Sequence, residues 1–155
     1  MTNQEFAAAA EAYTDMVYRI ALNWFKNVPD AEDVTQNTML RLCRTDTVFQ
    51  DEDHLRYWLV RVAVNECKRL SMCFWRTRTV PLESAPEPAF SDEDRRAVYR
   101  EVMALPGKYR VPLYLYYYEG YPVKDIAALL GMKPSTVQTR LARGREQLKT
   151  ILTEE

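Results

Sequence analysis

Glycine is scarce in this sequence, 4 residues in 155 against 8 prolines, and long apolar runs are missing. A chain this poor in Gly, and rich in Leu, Ala, Arg and Glu, points to helices and away from a turn-rich sheet protein. Its apolar stretches are short and broken by charge, which excludes a membrane-spanning helix and membrane insertion. The N-terminus, MTNQEF, has neither the basic start nor the apolar stretch of a secretion signal. The expected location is therefore the cytoplasm. Cys43, Cys67 and Cys73 form an odd set with no CxxC pair, and His54 is the only histidine. A disulfide framework and a zinc site are disfavoured, and reduced, partly buried thiols are expected. There is no nucleophile–base pair, metal cluster or glycine-rich phosphate loop. No catalytic residue, metal or cofactor is expected, and the chain does not read as an enzyme.

What is present is an ordinary globular balance, 47% hydrophobic and 28% charged, enough for one compact domain or two small ones. Net charge is −1, but it is unevenly spread. Residues 1–80 hold 10 Lys+Arg and 11 Asp+Glu, a balance of −1; residues 81–95 hold one Arg and five acids, −4; residues 96–155 hold 10 basic and 6 acidic residues, +4. Nucleic acid is bound by cations clustered on one face, so the local sign matters more than the average.

The segment VPLESAPEPAFSDED (80–94) carries Pro81, Pro86 and Pro88 and most of the excess acid. Such a stretch cannot sustain a long helix or build a core, and reads as a flexible acidic linker. The sequence thus predicts an all-α protein of two small helical domains, 1–79 and 95–155, joined by 80–94. In the first, helices are expected over about 3–26, from near Asp30 to Arg44, and over about 51–72. Proline and its neighbour stop the first near Val28-Pro29. Acids crowd the start of the other two (Asp30, Glu32, Asp33; Asp51, Glu52, Asp53), where they offset the helix dipole. In the second, helices are expected near 92–104 and over 108–119, with Pro112 early enough in the latter for its missing N–H to cost little. PVKDIAALL (122–130) reads as a short helix stopped by Gly131, followed by a long one from Pro134 to about Leu152.

On the last helix Val137, Leu141, Gly144, Leu148 and Ile151 recur at helical spacing as a buried stripe. Gln138, Thr139, Ala142, Arg143, Glu146 and Lys149 fall on the opposite side. Ile126, Ala127 and Leu130 are expected to be buried on the preceding helix. This is a helix-turn-helix pattern whose second helix can enter a major groove. Gln suits adenine and Arg guanine, while Arg145 and Lys149 suit phosphates. The same pattern also fits an ordinary helical hairpin with a solvated basic face.

Over 30–44, Ala31, Val34, Thr38 and Leu42 share one arc, a core face, and Asp33, Gln36, Leu40 and Arg44 share the opposite one. A leucine framed by charge suggests a partner surface, although single exposed leucines are ordinary. Farther on, Arg61, Asn65 and Lys68 align beside Trp58, with Arg69, Arg76 and Arg78 following. Cations interleaved with an aromatic suit a single strand, or a solvated face over a tryptophan-anchored core.

Three stretches together carry a resemblance: DAEDVTQNTMLRLCR (30–44), HLRYWLVRVAVNECKRL (54–70) and LPGKYRVPLYLYYYEGYPVKDIAALLGMKPSTVQTRLARGREQLKTIL (105–152). They resemble the extracytoplasmic-function (ECF) group of bacterial sigma factors, in order and over nearly the whole chain apart from the linker. The resemblance implies that Asp33, Gln36, Leu40 and Arg44 dock on the clamp of core RNA polymerase. It implies that Asn65, with Lys68 and Arg69 and next to Arg61, lies where the unwound −10 promoter strand is held. It also implies that Gln138, Thr139 and Arg143 read the −35 element, that the linker passes through the polymerase cleft, and that an anti-sigma protein can be a partner. Three departures stand out. Ala142 occupies a reading position that is often larger, Lys133 stands where a Ser-like cap is expected, and SMCFWRTRT (71–79) is less basic than its counterpart. The competing class is a free-standing helix-turn-helix regulator binding duplex DNA as a dimer. That reading leaves 1–79 and the linker without a role.

Overall fold

The structure, a computed structural model, describes residues 1–72 and 93–154. The expectations placed on Cys73, Phe74, Trp75, Arg76 and Arg78, and on most of the acidic linker, lie outside the described residues. Those residues form seven helices and no strand: α1 (Asn3–Phe25), α2 (Val28–Arg44), α3 (Glu52–Ser71), α4 (Glu93–Ala104), α5 (Gly107–Tyr117), α6 (Val123–Leu130) and α7 (Pro134–Glu154). The chain divides into two compact units, one holding α1–α3 and the other α4–α7.

In the first unit local chemistry sets the helix ends. Thr2 Oγ1 accepts from the Glu5 N–H at 3.1 Å while the Glu5 carboxylate accepts from the Thr2 N–H at 3.0 Å, a capping box that opens α1. Lys26 closes it in the left-handed region, φ 56°. The side chain of Asn27 then caps α2, accepting from the Asp30 N–H at 3.2 Å. This places Pro29 inside the first turn of α2, where its missing N–H leaves no bond unmade, and starts the helix two residues before Asp30. Asp51 caps α3 by accepting from the His54 N–H at 2.7 Å.

The three helices pack on one another around Val17, Ala21, Ala31, Val34, Leu42, Leu59, Val60, Ala63 and Val64, each with no measurable exposure. Each large aliphatic side chain removed from water here contributes roughly 1.5–3 kcal/mol before entropic costs. Cys67 belongs to this core, and burial pushes its thiol well above the usual range; Cys43 is exposed, and both are free thiols. At the other end of the unit the Tyr13 hydroxyl donates to the Glu52 carboxylate at 2.5 Å, which raises the phenol's pKa to about 12. The proton is bound more tightly in the fold. That tie between α1 and α3 therefore holds at neutral pH and weakens only as pH rises through about 10–12.

In the second unit Leu113, Tyr114, Leu115, Ile126 and Val137 are the largest fully buried side chains. Two expectations need correction. Pro112 is the sixth residue of α5, beyond the first turn, because the helix begins at Gly107. Its ring is buried, and packing offsets the hydrogen bond that the Lys108 carbonyl forgoes. On α6 the inward set is Ile126, Ala127 and Leu129, and Leu130 is only half-buried. Gly131, at φ 68°, ends the helix directly after Leu130 and turns that last residue partly outward.

The stripe expected on α7 is present: Val137, Leu141 and Gly144 are buried, and Leu148 and Ile151 half-buried. Gly144 is there for proximity. A Cβ at this position would lie 2.6 Å from Leu113 Cδ1, 3.1 Å from Leu113 Cγ and 3.3 Å from Tyr109 Cβ. Gly144→Val is therefore expected to lower stability by about 1–3 kcal/mol through overpacking, despite valine's better helix propensity. Denaturant unfolding measures this, and an unchanged midpoint would show that α5 and α7 separate at no cost.

Candidate nucleic-acid interface

Because the buried stripe of α7 rests on α5 and α6, its other side is presented outward as a unit. Gln138, Thr139, Ala142, Arg143, Arg145, Glu146 and Lys149 are all exposed. Pro134, lacking an N–H, opens the helix, and the Lys133 carbonyl accepts from Thr136 and Val137 at 3.0 and 3.2 Å. Lys133 thus starts α7 through its backbone. The Thr139 hydroxyl donates to the Ser135 carbonyl at 3.0 Å, so its hydrogen is engaged and its oxygen and methyl remain for an outside contact. Arg145 donates to the Tyr117 hydroxyl at 3.2 Å, which ties it to the end of α5.

Two cations that the sequence reading omitted stand beside these residues. Lys108 of α5 and Arg140 of α7 line a shallow concavity with Ser135, Thr136, Thr139 and Arg143 at the start of α7. Lys108 Nζ lies 5.0 Å from the Tyr109 ring centroid. Three positive side chains next to the N-terminal end of a helix attract an anion, because the positive end of the helix dipole adds to their charge. Arg140 sits two residues beyond Gln138, outside the stripe used to sort the face. Lys108 comes from another helix altogether.

The first unit is built on the same logic. Ala31, Val34, Thr38 and Leu42 are fully buried, and Asp33, Gln36, Leu40 and Arg44 are exposed, Leu40 to 49%. On α3, Arg61 and Asn65 are exposed and Lys68 is half-buried, so these three share an accessible face. Trp58 is half-buried under Phe49, ring centroids 5.5 Å apart and nearly perpendicular. Phe49 belongs to the loop 45–50, which the backbone N–H of Gln50 pins to α3 by donating to His54 Nδ1 at 3.1 Å. That loop carries Val48 at 86% exposure.

Arg69 is held differently from its neighbours on α3. It forks onto Glu66, with Nε and Nη2 at 3.1 and 2.8 Å from Oε2. Glu66 is the one buried carboxylate among the described residues of this unit, 3% exposed, and its other oxygen accepts from Arg41 Nε at 2.9 Å. The sequence reading had no place for Glu66 or Arg41. The signal was there: an acid three residues before Arg69, on the side of α3 that faces α2.

Two all-helical units, one ending in a helix-turn-helix with a polar, cation-bearing outer face, have the architecture of a helix-turn-helix DNA-binding class. Residues 9–78 match the family described as Sigma-70 region 2, and residues 95–148 match Sigma-70, region 4. The ECF RNA polymerase sigma factor SigM of Mycobacterium tuberculosis is 30% identical over 139 residues, covering 88% of this chain and 71% of the relative. SigW of Bacillus subtilis is 27% identical, over 95% and 88%. SigE of Mycolicibacterium smegmatis is 33% identical over 90% of this chain, which spans only 58% of that relative. A solved structure of the sigma factor RpoE, in complex with the anti-sigma factor NepR from Bartonella quintana, shares the fold with a TM-score of 0.66 at 21% identity. That match covers 97% of this chain and 98% of RpoE. This chain belongs to the ECF family of RNA polymerase sigma factors.

Proposed function

We propose that the chain performs a sigma factor's task through three separate surfaces and has no catalytic activity of its own. It binds core RNA polymerase and directs promoter recognition, DNA melting and transcription initiation. The outer face of α2 (Asp33, Gln36, Leu40, Arg44) docks on polymerase. The exposed face of α3 (Arg61, Asn65, Lys68, with Arg69) receives the unwound −10 strand. On α7, Gln138, Thr139, Ala142 and Arg143 read the −35 element, while Arg145 and Lys149 meet phosphates. Residues 1–79 are the polymerase and −10 unit, 95–155 the −35 unit, and 80–94 the acidic connection between them. An anti-sigma protein is a further partner; the pairing of RpoE with NepR supports this.

The observation that carries this reading is the division of α7: a continuous buried stripe on one side and Gln138, Thr139 and Arg143 exposed on the other. Gln and Arg are the side chains that pair with adenine and guanine edges, and here they stand at consecutive turns of one accessible face.

Run-off transcription with purified bacterial core polymerase over a promoter library tests the proposal. The chain is expected to direct specific initiation, while free chain binds duplex DNA weakly, since docking on polymerase supplies the spacing between two small surfaces. In the same assay Arg143→Ala is expected to relax preference at particular upstream base pairs by ~1–3 kcal/mol. Tight, sequence-specific duplex binding by the chain alone, without transcription, would instead establish a free-standing regulator.

A further inference from the structure

The groove between α2 and α3 is lined by Leu40, Arg41, Arg44, Trp58, Val62 and Arg69, with the Glu66 carboxylate in its wall. Three guanidiniums against one carboxylate leave the groove positive, and Trp58 gives it an aromatic surface. Cations around an aromatic surface are the chemistry of single-stranded nucleic acid: phosphates pair and bases stack.

Glu66 decides how two of those cations are presented. Its side chain is 4% exposed, whereas those of Arg41 and Arg69 are 61% and 54% exposed. Each carboxylate oxygen has a partner: Oε1 accepts from Arg41, and Oε2 from Arg69 and, more distantly at 3.5 Å, from the Asn37 amide. An arginine on an open surface samples many rotamers. One whose guanidinium edge is fixed to a buried anion has its plane set, and the rest of its fork points in a fixed direction. The buried carboxylate also joins helix α2, which carries the polymerase face, to α3, which carries the strand face.

We propose that Glu66 is a positioning residue of this sigma factor, holding Arg41 and Arg69 as a fixed pair of prongs for the phosphates of the unwound promoter strand. This rests on the assignment of the α3 face to that strand. Glu66 touches no DNA itself; it acts through the two arginines.

Simple electrostatics and positioning make opposite forecasts. Glu66→Gln removes a negative charge next to a polyanion, which by charge alone tightens binding. If the carboxylate aims the arginines, binding weakens instead. The assay uses holoenzyme of the full chain with core polymerase. The probe is a labelled single-stranded oligonucleotide carrying the nontemplate −10 region of a promoter that the holoenzyme transcribes. Anisotropy is expected to show Glu66→Gln weakening strand binding about tenfold, the scale of losing one charge-assisted pair. Arg69→Lys keeps the charge but loses the fork. It is expected to cost a similar factor with an unchanged salt slope and unchanged polymerase association.

Arg69 is half-exposed, so its variant tests the proposal even if Glu66→Gln fails to fold. Wild-type strand binding by Arg69→Lys, or equal or tighter binding by a folded Glu66→Gln, overturns the proposal. Asn65→Ala in parallel separates the two levels. If it is defective while Arg69→Lys is normal, only the positioning role falls. If both are normal, the strand assignment of α3 falls with it.

Discussion

Leu40→Asp is expected to abolish association with core RNA polymerase while shifting the chain's melting temperature by less than about 4 °C, the scale of a surface substitution. The reason lies in the register of α2. Leu42, two positions on, is fully buried, and Leu40 is 49% exposed between Gln36 and Arg44. An aspartate at position 40 meets water in the free chain and costs little. Against a partner it becomes a desolvated, unpaired charge, a penalty of about 3–5 kcal/mol, or a loss of roughly two to nearly four orders of magnitude in affinity. Surface plasmon resonance against immobilised core enzyme and thermal circular dichroism on the same preparation separate the effects. A variant that unfolds would place Leu40 in the core. One that binds polymerase normally would move the docking face elsewhere.

Asn65→Ala is expected to slow promoter opening strongly without altering the salt dependence or the upstream base preference of the holoenzyme. Asn65 stands exposed on α3 between Arg61 and Lys68, one turn from each. Its amide offers two donors and an acceptor, which suit the Watson–Crick edge of a base that has left the duplex stack. The cations on either side are left unchanged by the substitution, so the strand is still attracted but no longer recognised. Permanganate footprinting of the −10 region reads the opening directly. On a promoter with a pre-opened bubble, the opening component of the defect should vanish and the recognition component persist. Wild-type opening of a duplex promoter by Asn65→Ala would remove α3 from the melting surface.

The faces of α2 and α7 were legible because periodicity reports burial wherever a helix is amphipathic and packs on one side. Thr38 shows its strength, since a polar residue placed inward by spacing alone is fully buried. Acid clusters marked the starts of α2 and α3 to within two residues, but did not show which side chain caps each helix. Asn27 rather than Asp30 caps α2, because the residue preceding the first turn has the extended backbone that a cap requires. Pro112 was read as an early residue because proline is usually tolerated there, yet the fold begins α5 at Gly107 and buries the ring.

The groups that arise from two helices at once escaped the sequence reading. Glu66 looks like one more surface acid in a charged stretch. Only the packing of α3 on α2 brings Arg41 to its other oxygen and removes it from water. Lys108 likewise joins Ser135 and Arg143 only because Gly144 lets α5 and α7 approach within Cβ distance. Sequence by itself determined the helical class, the inward and outward sides of α2 and α7, and the residue types those faces present, all of which follow from spacing along one chain. Tertiary structure alone decided which charges are paired between α2 and α3 and which cations share a concavity. Those depend on distances between segments far apart in the chain, and no periodicity encodes them.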